Sequence, residues 1–161
     1  MIDNSWYCRP RGLPTRHSAG GVVVRPEDDR LMVALVRDGE LPGRFLPKGG
    51  IRGGEGPEET ARREIAEEAG ITDLRLLGFL GTCERLDYHK RFWVVTIYYL
   101  FTTDQAQGFP LDMGHNYSLE WQPIEQLRCM LWPEQKQLIE SNLAVIVRSA
   151  SAETQPGRGA A

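Results

Sequence analysis

Residues 49–71 read Gly49-Gly-Ile-Arg-Gly-Gly-Glu55-Gly-Pro57-Glu-Glu-Thr-Ala-Arg-Arg63-Glu64-Ile-Ala-Glu67-Glu68-Ala-Gly70-Ile71. A glycine-rich loop runs into a short helix whose start and stop are both written in the chain. Pro57 suits a first helical position, where its missing N–H would be unpaired anyway. Glu58 and Glu59 favour the positive end of the helix dipole. Gly70 is the usual left-handed stop. These signals predict a helix over 57–69. At about 100° per residue, Glu64, Glu67 and Glu68 fall within an arc of roughly 100°. Ala61, Ile65 and Ala69 form the neighbouring arc, apolar enough to pack on a core. Glutamates three and four positions apart repel by about a few tenths of a kcal/mol each, and a cation against that face removes the repulsion. Oxygen-only ligands at helical spacing suit Mg²⁺ or Mn²⁺. Zn²⁺ would want nitrogen or sulfur ligands, and none is near.

A glutamate-rich helix taken alone is usually a solvated face, here with Arg62 and Arg63 as counter-charges. The whole pattern is more demanding. It is Gly49, five residues, Glu55, seven residues, then Arg63-Glu64-aliphatic-any-Glu67-Glu68-any-Gly70-aliphatic. At average residue frequencies such a set of fixed positions arises by chance less than about once in ten million chains of this length. On these residues the chain resembles the Nudix hydrolases, with their box complete and unsubstituted. The strict resemblance covers the box, and a looser one extends from about His17 to Leu127.

The resemblance implies an α/β/α sandwich with a mixed sheet between helices, which the pattern alone would not supply. It also implies metal-assisted hydrolysis of a nucleoside diphosphate linked to another group, by water attacking phosphorus. Carried over position by position, Glu67 and Glu68 are the principal metal ligands. Glu64 is either a further ligand or the group that orients or deprotonates the water. The backbone carbonyl of Lys48 matches one that ligates metal. Arg63 and Glu55 pair to steady the loop against the helix, with Gly49 and Gly70 as structural positions. Glu64, Glu67 and Arg63 are thus the catalytic set. Glu120, in Ser118-Leu-Glu-Trp121, is read as a late acid that reaches the metals, or as an exposed strand residue.

The whole chain bounds these readings. Its 161 residues fit one domain with a sizeable core. A net charge of −3 argues against non-specific nucleic-acid binding. No apolar run reaches membrane-spanning length. Residues 1–20 lack a signal-peptide pattern. Cys8, Cys83 and Cys129 are widely spaced and read as free thiols in a reducing cytosol. The expected organisation is a single domain over 1–148, with an irregular arm at 1–15 and a disordered tail at 149–161. Strands are expected at 17–24, 31–36, 74–83, 91–102 and 119–121, with a short strand entering the glycine loop. The strand at 74–83 should bend near Gly78 and Gly81. A loop should span 104–117, and one helix should run from Pro133 to about Arg148. The expected setting is cytoplasmic, as a monomer or homodimer, without a membrane or nucleic-acid partner.

The substrate is read from basic groups where phosphates would lie. Lys48 directly precedes the box glycines, and Asp87-Tyr-His-Lys90-Arg91 precedes the long strand. Lysine binds phosphate as a point charge, and arginine grips it in bidentate fashion. Lys48, Lys90, Arg91 and Arg16 are therefore candidate phosphate binders, with Tyr88 stacking on a base. The alternative for Lys90 and Arg91 is a solvated hairpin end. Pro47-Lys-Gly-Gly50 with the His89-Lys-Arg91 cluster is similar to the dinucleoside polyphosphate and diphosphoinositol polyphosphate hydrolases of the superfamily. Lys48 stands where relatives of the MutT type usually have glycine. Nucleoside triphosphate or ADP-ribose pyrophosphatase activity is the alternative. A non-catalytic nucleotide-binding regulator is a third class, disfavoured by the intact box.

Overall fold

The computed structural model describes residues 1–153. Strand β1 (Thr15–Glu27) turns at Asp28-Asp29 into antiparallel β2 (Arg30–Asp38). Two short strands follow, β3 (Arg44–Phe45) and β4 (Lys48–Gly50), and then helix α1 (Pro57–Ala69). Strands β5 (Arg75–Leu86) and β6 (Trp93–Thr102) form a second hairpin. β7 (Tyr117–Pro123) precedes α2 (Pro133–Ser141) and α3 (Leu143–Glu153). The sheet runs β3-β2-β1-β6-β5, with β4 paired to β1 and β7 paired to β2. Only β1 and β6 are parallel; the other pairs are antiparallel.

The burial of β1 explains its composition. Ala19 and Val23 point into the core beneath α1, where Ala61, Ile65, Ala69 and Phe101 meet them. Val22 and Val24 point into the opposite core, with Val33, Leu35, Tyr98, Ile139 and Ile146 of the α2–α3 side. A strand covered on both faces reads as a continuous apolar run. The result is a mixed sheet between helices, as the box resemblance implied. The central place expected for residues 31–36 is also found: β2 has β1 and β3 along one edge and β7 along the other. The expected bends in β5 are register shifts at Leu76/Gly78 and Phe79/Gly81.

Small residues let helix α1 close on the sheet. A Cβ on Gly20 would lie 2.3 Å from the Pro47 carbonyl, and one on Gly21 would lie 2.6 Å from Ile65 Cδ1. Strand β4 and helix α1 thus press on β1 through Ser18-Ala-Gly-Gly21. From the other layer, buried Gln135 of α2 accepts the Leu46 N–H at 2.9 Å and donates to Tyr98 Oη at 2.8 Å. That pair of bonds ties α2 to the segment leading into the glycine loop.

Three expectations are corrected. Residues 1–15 are not wholly irregular: Asn4–Tyr7 form a 3-10 turn capped by the Asp3 carboxylate. Trp6 in that turn is buried and packs edge-on against Trp132 at 5.6 Å. The helix expected over 133–148 breaks at Asn142, whose side-chain amide donates to the Leu138 carbonyl and competes with the backbone ladder. The tail expected from Ser149 is helical as far as Glu153, where α3 ends; the rest of it, residues 154–161, lies outside the described residues.

Residues 104–116 form a loop, but one strapped across the end of α1. The Leu111 and Asp112 N–H groups donate to the Ala66 and Glu67 carbonyls at 3.3 and 3.0 Å. Both carbonyls belong to the last turn, where intrahelical partners run out; that of Ala66 also takes the Gly70 N–H at 3.1 Å. Gly70 makes the close approach possible. It is left-handed at φ 67°, and a Cβ there would sit 2.2 Å from the Phe109 backbone. We expect Gly70→Ala to cost at least about 2 kcal/mol, from the combined left-handed strain and overpacking. Gly50→Ala, which meets open space at ordinary φ, should cost under about 1 kcal/mol. Urea denaturation of the two variants checks the difference.

Candidate active site

Arg63 organises the box. Its Nε and Nη2 donate to the two Glu55 carboxylate oxygens at 2.6 and 3.0 Å, a bidentate grip. Nη2 also donates to the Gly50 carbonyl at 3.0 Å. Nη1 bonds to Glu64, and to Glu67 at 3.0 Å. One guanidinium thereby joins the glycine loop to two glutamates of the helix. Glu55 is fixed further by the Thr60 hydroxyl at 2.8 Å and the Arg52 N–H at 3.1 Å. The Arg63 hydrogen bonds are the main reason the Glu55 carboxyl is held down to about 2.

The three glutamates sit in different surroundings. Glu68 is only 8% exposed, and its carboxylate accepts the Lys48 N–H at 3.0 Å. Burial pushes its proton affinity well above the carboxylate range, against the pull of Lys48. Glu64 is 9% exposed and is shifted upward by burial, with Arg63 pulling it back. Its carboxyl fills the space where a Cβ of residue 49 would be: a Cβ on Gly49 would lie 2.2 Å from it. Glu67 is half-buried and turned toward Arg63 and Arg52. Among the described residues, no group of three acidic, histidine or cysteine side chains stands ready-made around one point. Arg63 and Arg52 supply the positive charge on this face instead.

The donor set nevertheless fits a hard divalent cation. Glu68 is a buried carboxylate held by the Lys48 backbone amide, so its ionised form is undercompensated. A cation at the cleft wall meets that deficit with oxygen ligands of the kind Mg²⁺ or Mn²⁺ takes.

Glu68 opens onto a cleft of about 230 Å³ that also receives Lys48, Gly49, Gly50, Arg16, Arg85 and Tyr88. Phe45, Tyr117 and Trp132 form aromatic walls, and Asp38 and Asp87 stand at its edge. Burial, reinforced by Arg85, draws the Lys48 ammonium below its ordinary value, against Glu68 and Glu64. Arg16 lies with its guanidinium 4.1 Å from the Phe92 ring centre.

Arg63, Glu64, Glu67, Glu120, Lys90 and Arg91 do not line this cleft; Glu67 lines a separate hollow with Arg52 and Arg63. Glu120 is directed away from α1. In β7 its neighbours Leu119 and Trp121 pack with the α1-side core, so strand alternation sends Glu120 to the other face. There it accepts from Arg44 Nε at 2.7 Å and Gln122 Nε2 at 2.9 Å. Burial opposes its ionisation, but these bonds outweigh burial and the carboxyl stays below its ordinary value. Arg91 is exposed, and its N–H, with that of Phe92, closes a turn on the Asp87 carboxylate. Lys90 lies beyond Tyr88, its ammonium 4.6 Å from the Trp6 ring centre.

Sequence reading missed Arg85. It is buried and stacked on Trp132, with Nε on the Glu134 carboxylate at 2.7 Å. The signal was an arginine where a strand's alternation turns inward, visible only once the bulges of β5 are known.

Comparison with known proteins bears on the family and the fold. A family model described as the NUDIX domain matches residues 15–141. The chain belongs to the Nudix family. It is 41% identical over 71 residues to the RNA pyrophosphohydrolase of Bartonella henselae, covering 40% of this chain and 41% of that protein. It is 27% identical over 122 residues to the oxidized purine nucleoside triphosphate hydrolase of Mus musculus, covering 70% of each. The chain spans only 31% to 41% of the length of the bacterial relatives that it matches at 41–44% identity. Among solved structures, a C. elegans Ap4A hydrolase complex superposes with TM-score 0.70 at 23% identity, over 83% of this chain and 99% of that one. At that identity the likeness shows the Nudix fold alone. No helix among the described residues is long and apolar enough to cross a membrane.

Two outcomes test this arrangement. Gly49→Ala displaces the end of a flexible glutamate rather than backbone, so the melting temperature should move little. Glu64 should be pushed off position, and turnover should fall by about 100-fold, the usual cost of a 1 Å misplacement. In the Nudix box of this chain, Glu55 contributes stability above its unfolded value of 4.5, and that contribution is lost as pH falls toward about 2. The stability gap between the wild type and Glu55→Gln should therefore be open at pH 7 and close below pH 4.5. Denaturant midpoints across that range measure it.

Proposed function

We propose that this protein is a metal-dependent phosphoanhydride hydrolase of nucleoside diphosphate-linked compounds. The substrates that fit best are dinucleoside polyphosphates or diphosphoinositol polyphosphates. The observation that carries the reading is the shared cleft: buried Glu68 on one wall, with Lys48, Arg16 and Arg85 facing the same space. Carboxylates alone would repel a polyphosphate, and cations alone would bind it without activating water. Together they suit an anionic chain cleaved by an activated water.

Glu68 and Glu67, with the Lys48 carbonyl, are the residues that would hold Mg²⁺ or Mn²⁺; Glu64 is a further ligand or the base. When bound, such an ion neutralises phosphate oxygens and acidifies water. The chain's own groups do the rest. Arg63 positions Glu64 and Glu67 against the glycine loop. Lys48, Arg16 and Arg85 engage non-bridging oxygens and orient the chain for in-line attack. A Glu64 oxygen takes the proton of the attacking water as the new P–O bond forms. The bridging P–O bond breaks, and the departing phosphate keeps its electron pair. Tyr88 at the cleft edge suits a base.

A second reading, nucleoside triphosphate pyrophosphatase, draws support from the mouse relative, which matches over most of both chains. Purified protein assayed on diadenosine polyphosphates, diphosphoinositols, nucleoside triphosphates and ADP-ribose decides among them. Hydrolysis should require Mg²⁺ or Mn²⁺ and vanish on chelation. Glu68→Gln should lower kcat by about 100-fold or more, since metal-supplied stabilisation amounts to several kcal/mol, and the protein should stay folded. Full activity after exhaustive chelation would sink the reading.

A further inference from the structure

We propose that Tyr7 is a positioning residue of the cleft. By holding one oxygen of Glu134, it restricts that carboxylate to a single bond with Arg85 and leaves an Arg85 nitrogen for a substrate phosphate. The proposal rests on the reading of the cleft as a phosphoanhydride site. It adds to that site a residue from before the matched Nudix span, which begins at residue 15.

The surroundings of Arg85 account for its nitrogens one by one. Nε donates to Glu134 Oε1 at 2.7 Å, and Nη1 donates to the Leu86 carbonyl at 2.8 Å. Nη2 makes no hydrogen bond among the described residues. Trp132 covers one side, its ring centre 3.2 Å from the guanidinium carbon. Arg85 is buried and lines the cleft, as does Lys48. Two cations that face one space repel each other unless an anion lies between them. Nη2 is the donor that a phosphate oxygen entering the cleft would meet.

Glu134 takes less of Arg85 than it could. It sits in the first turn of α2, and a carboxylate and a guanidinium frequently pair through two parallel bonds. Its second oxygen, Oε2, is occupied instead by the Tyr7 hydroxyl, which donates to it at 2.6 Å. Burial, reinforced by Glu134, raises the Tyr7 hydroxyl above its ordinary value, so it stays a donor. Tyr7 closes the 3-10 turn at Asn4–Tyr7, and buried Trp6 fixes that turn against Trp132. The phenol therefore approaches Glu134 from a set direction. Without the hydroxyl, Oε2 would be a half-buried acceptor in need of a donor. The adjoining guanidinium supplies one. The fork would close, and a donor would turn from the cleft to Glu134.

Calorimetric titration of the full chain with inorganic pyrophosphate, without metal, tests the role of Tyr7. Tyr7→Phe keeps the ring and removes only the hydroxyl. It should weaken pyrophosphate binding about ten-fold, the loss of one charge-assisted hydrogen bond. Arg85→Lys keeps the charge but has no second nitrogen to divert. In that background Tyr7→Phe should change the affinity by less than about two-fold, as uncoupled sites do. Glu134→Gln, with a single acceptor oxygen, is a second such background and remains decisive if Arg85→Lys unfolds. Trp6→Phe loosens the same turn without touching Glu134 and should bind pyrophosphate as the wild type does. A loss under about three-fold in Tyr7→Phe, close to the scatter of independent sites, overturns the proposal. So does an equal loss in the Arg85→Lys or Glu134→Gln background, an equal loss in Trp6→Phe, or a wild type that does not bind pyrophosphate. Turnover with Mg²⁺ is scored apart. A protein that hydrolyses none of the polyphosphates yet couples Tyr7 to Arg85 would fail the functional reading and keep the role of Tyr7. One that hydrolyses them without that coupling would keep the reading and lose the role.

Discussion

Everything at the candidate site hangs on one guanidinium. Arg63 reaches the loop through Glu55 and the Gly50 carbonyl, and reaches the helix through Glu64 and Glu67. Without it, the glycine loop would keep its Thr60 and Arg52 contacts to the helix but lose the charge that offsets Glu64 and Glu67. A planar fork with five donors is suited to this, and a lysine could not replace it, because a point charge cannot grip Glu55 in bidentate fashion while bonding to the helix. Glu64 and Glu68 can then be buried at the sheet, where their charge is poorly compensated by protein alone.

The sheet supplies the other half of the constraint. Ser18-Ala-Gly-Gly21 is thin enough for β4 on one side and α1 on the other, which sets Glu68 beside the Lys48 amide. Gln135 carries the same control across to the far layer by holding Leu46. Helix α1 is therefore positioned by contacts from both layers, and the cleft opens where their edges meet.

Much of this was legible in the chain because the informative rules were local. Pro57 and Gly70 bounded α1 correctly, since capping depends on the few residues at each end. Ala61, Ile65 and Ala69 faced the core as their spacing required, and the Glu55–Arg63 pair formed as the box implied. What failed needed long-range information. Glu120 looked like a late metal ligand, but the face it occupies follows from the register of β7 on β2, which the sequence does not display. Arg85 was overlooked because two irregularities in β5 decide which of its residues turn inward. Lys90 and Arg91 read as a pair, yet the Asp87 turn splits them: one goes to the Trp6 ring and the other to solvent. Trp6 seemed to belong to a loose arm, because its partner Trp132 lies far along the chain.

The strap across the end of α1 links surface and site in a further way. Phe109, Leu111 and Met113 are exposed, so this stretch looks like an ordinary surface loop. Its amides at Leu111 and Asp112 nevertheless complete the last turn of the helix that carries Glu67 and Glu68. Hydrogen exchange at those two amides would therefore follow the opening of the helix end rather than the motion of a free loop. The strap and the carboxylates form one cooperative unit. A shift of the loop at Leu111 and Asp112 would thus be felt at the Ala66 and Glu67 carbonyls.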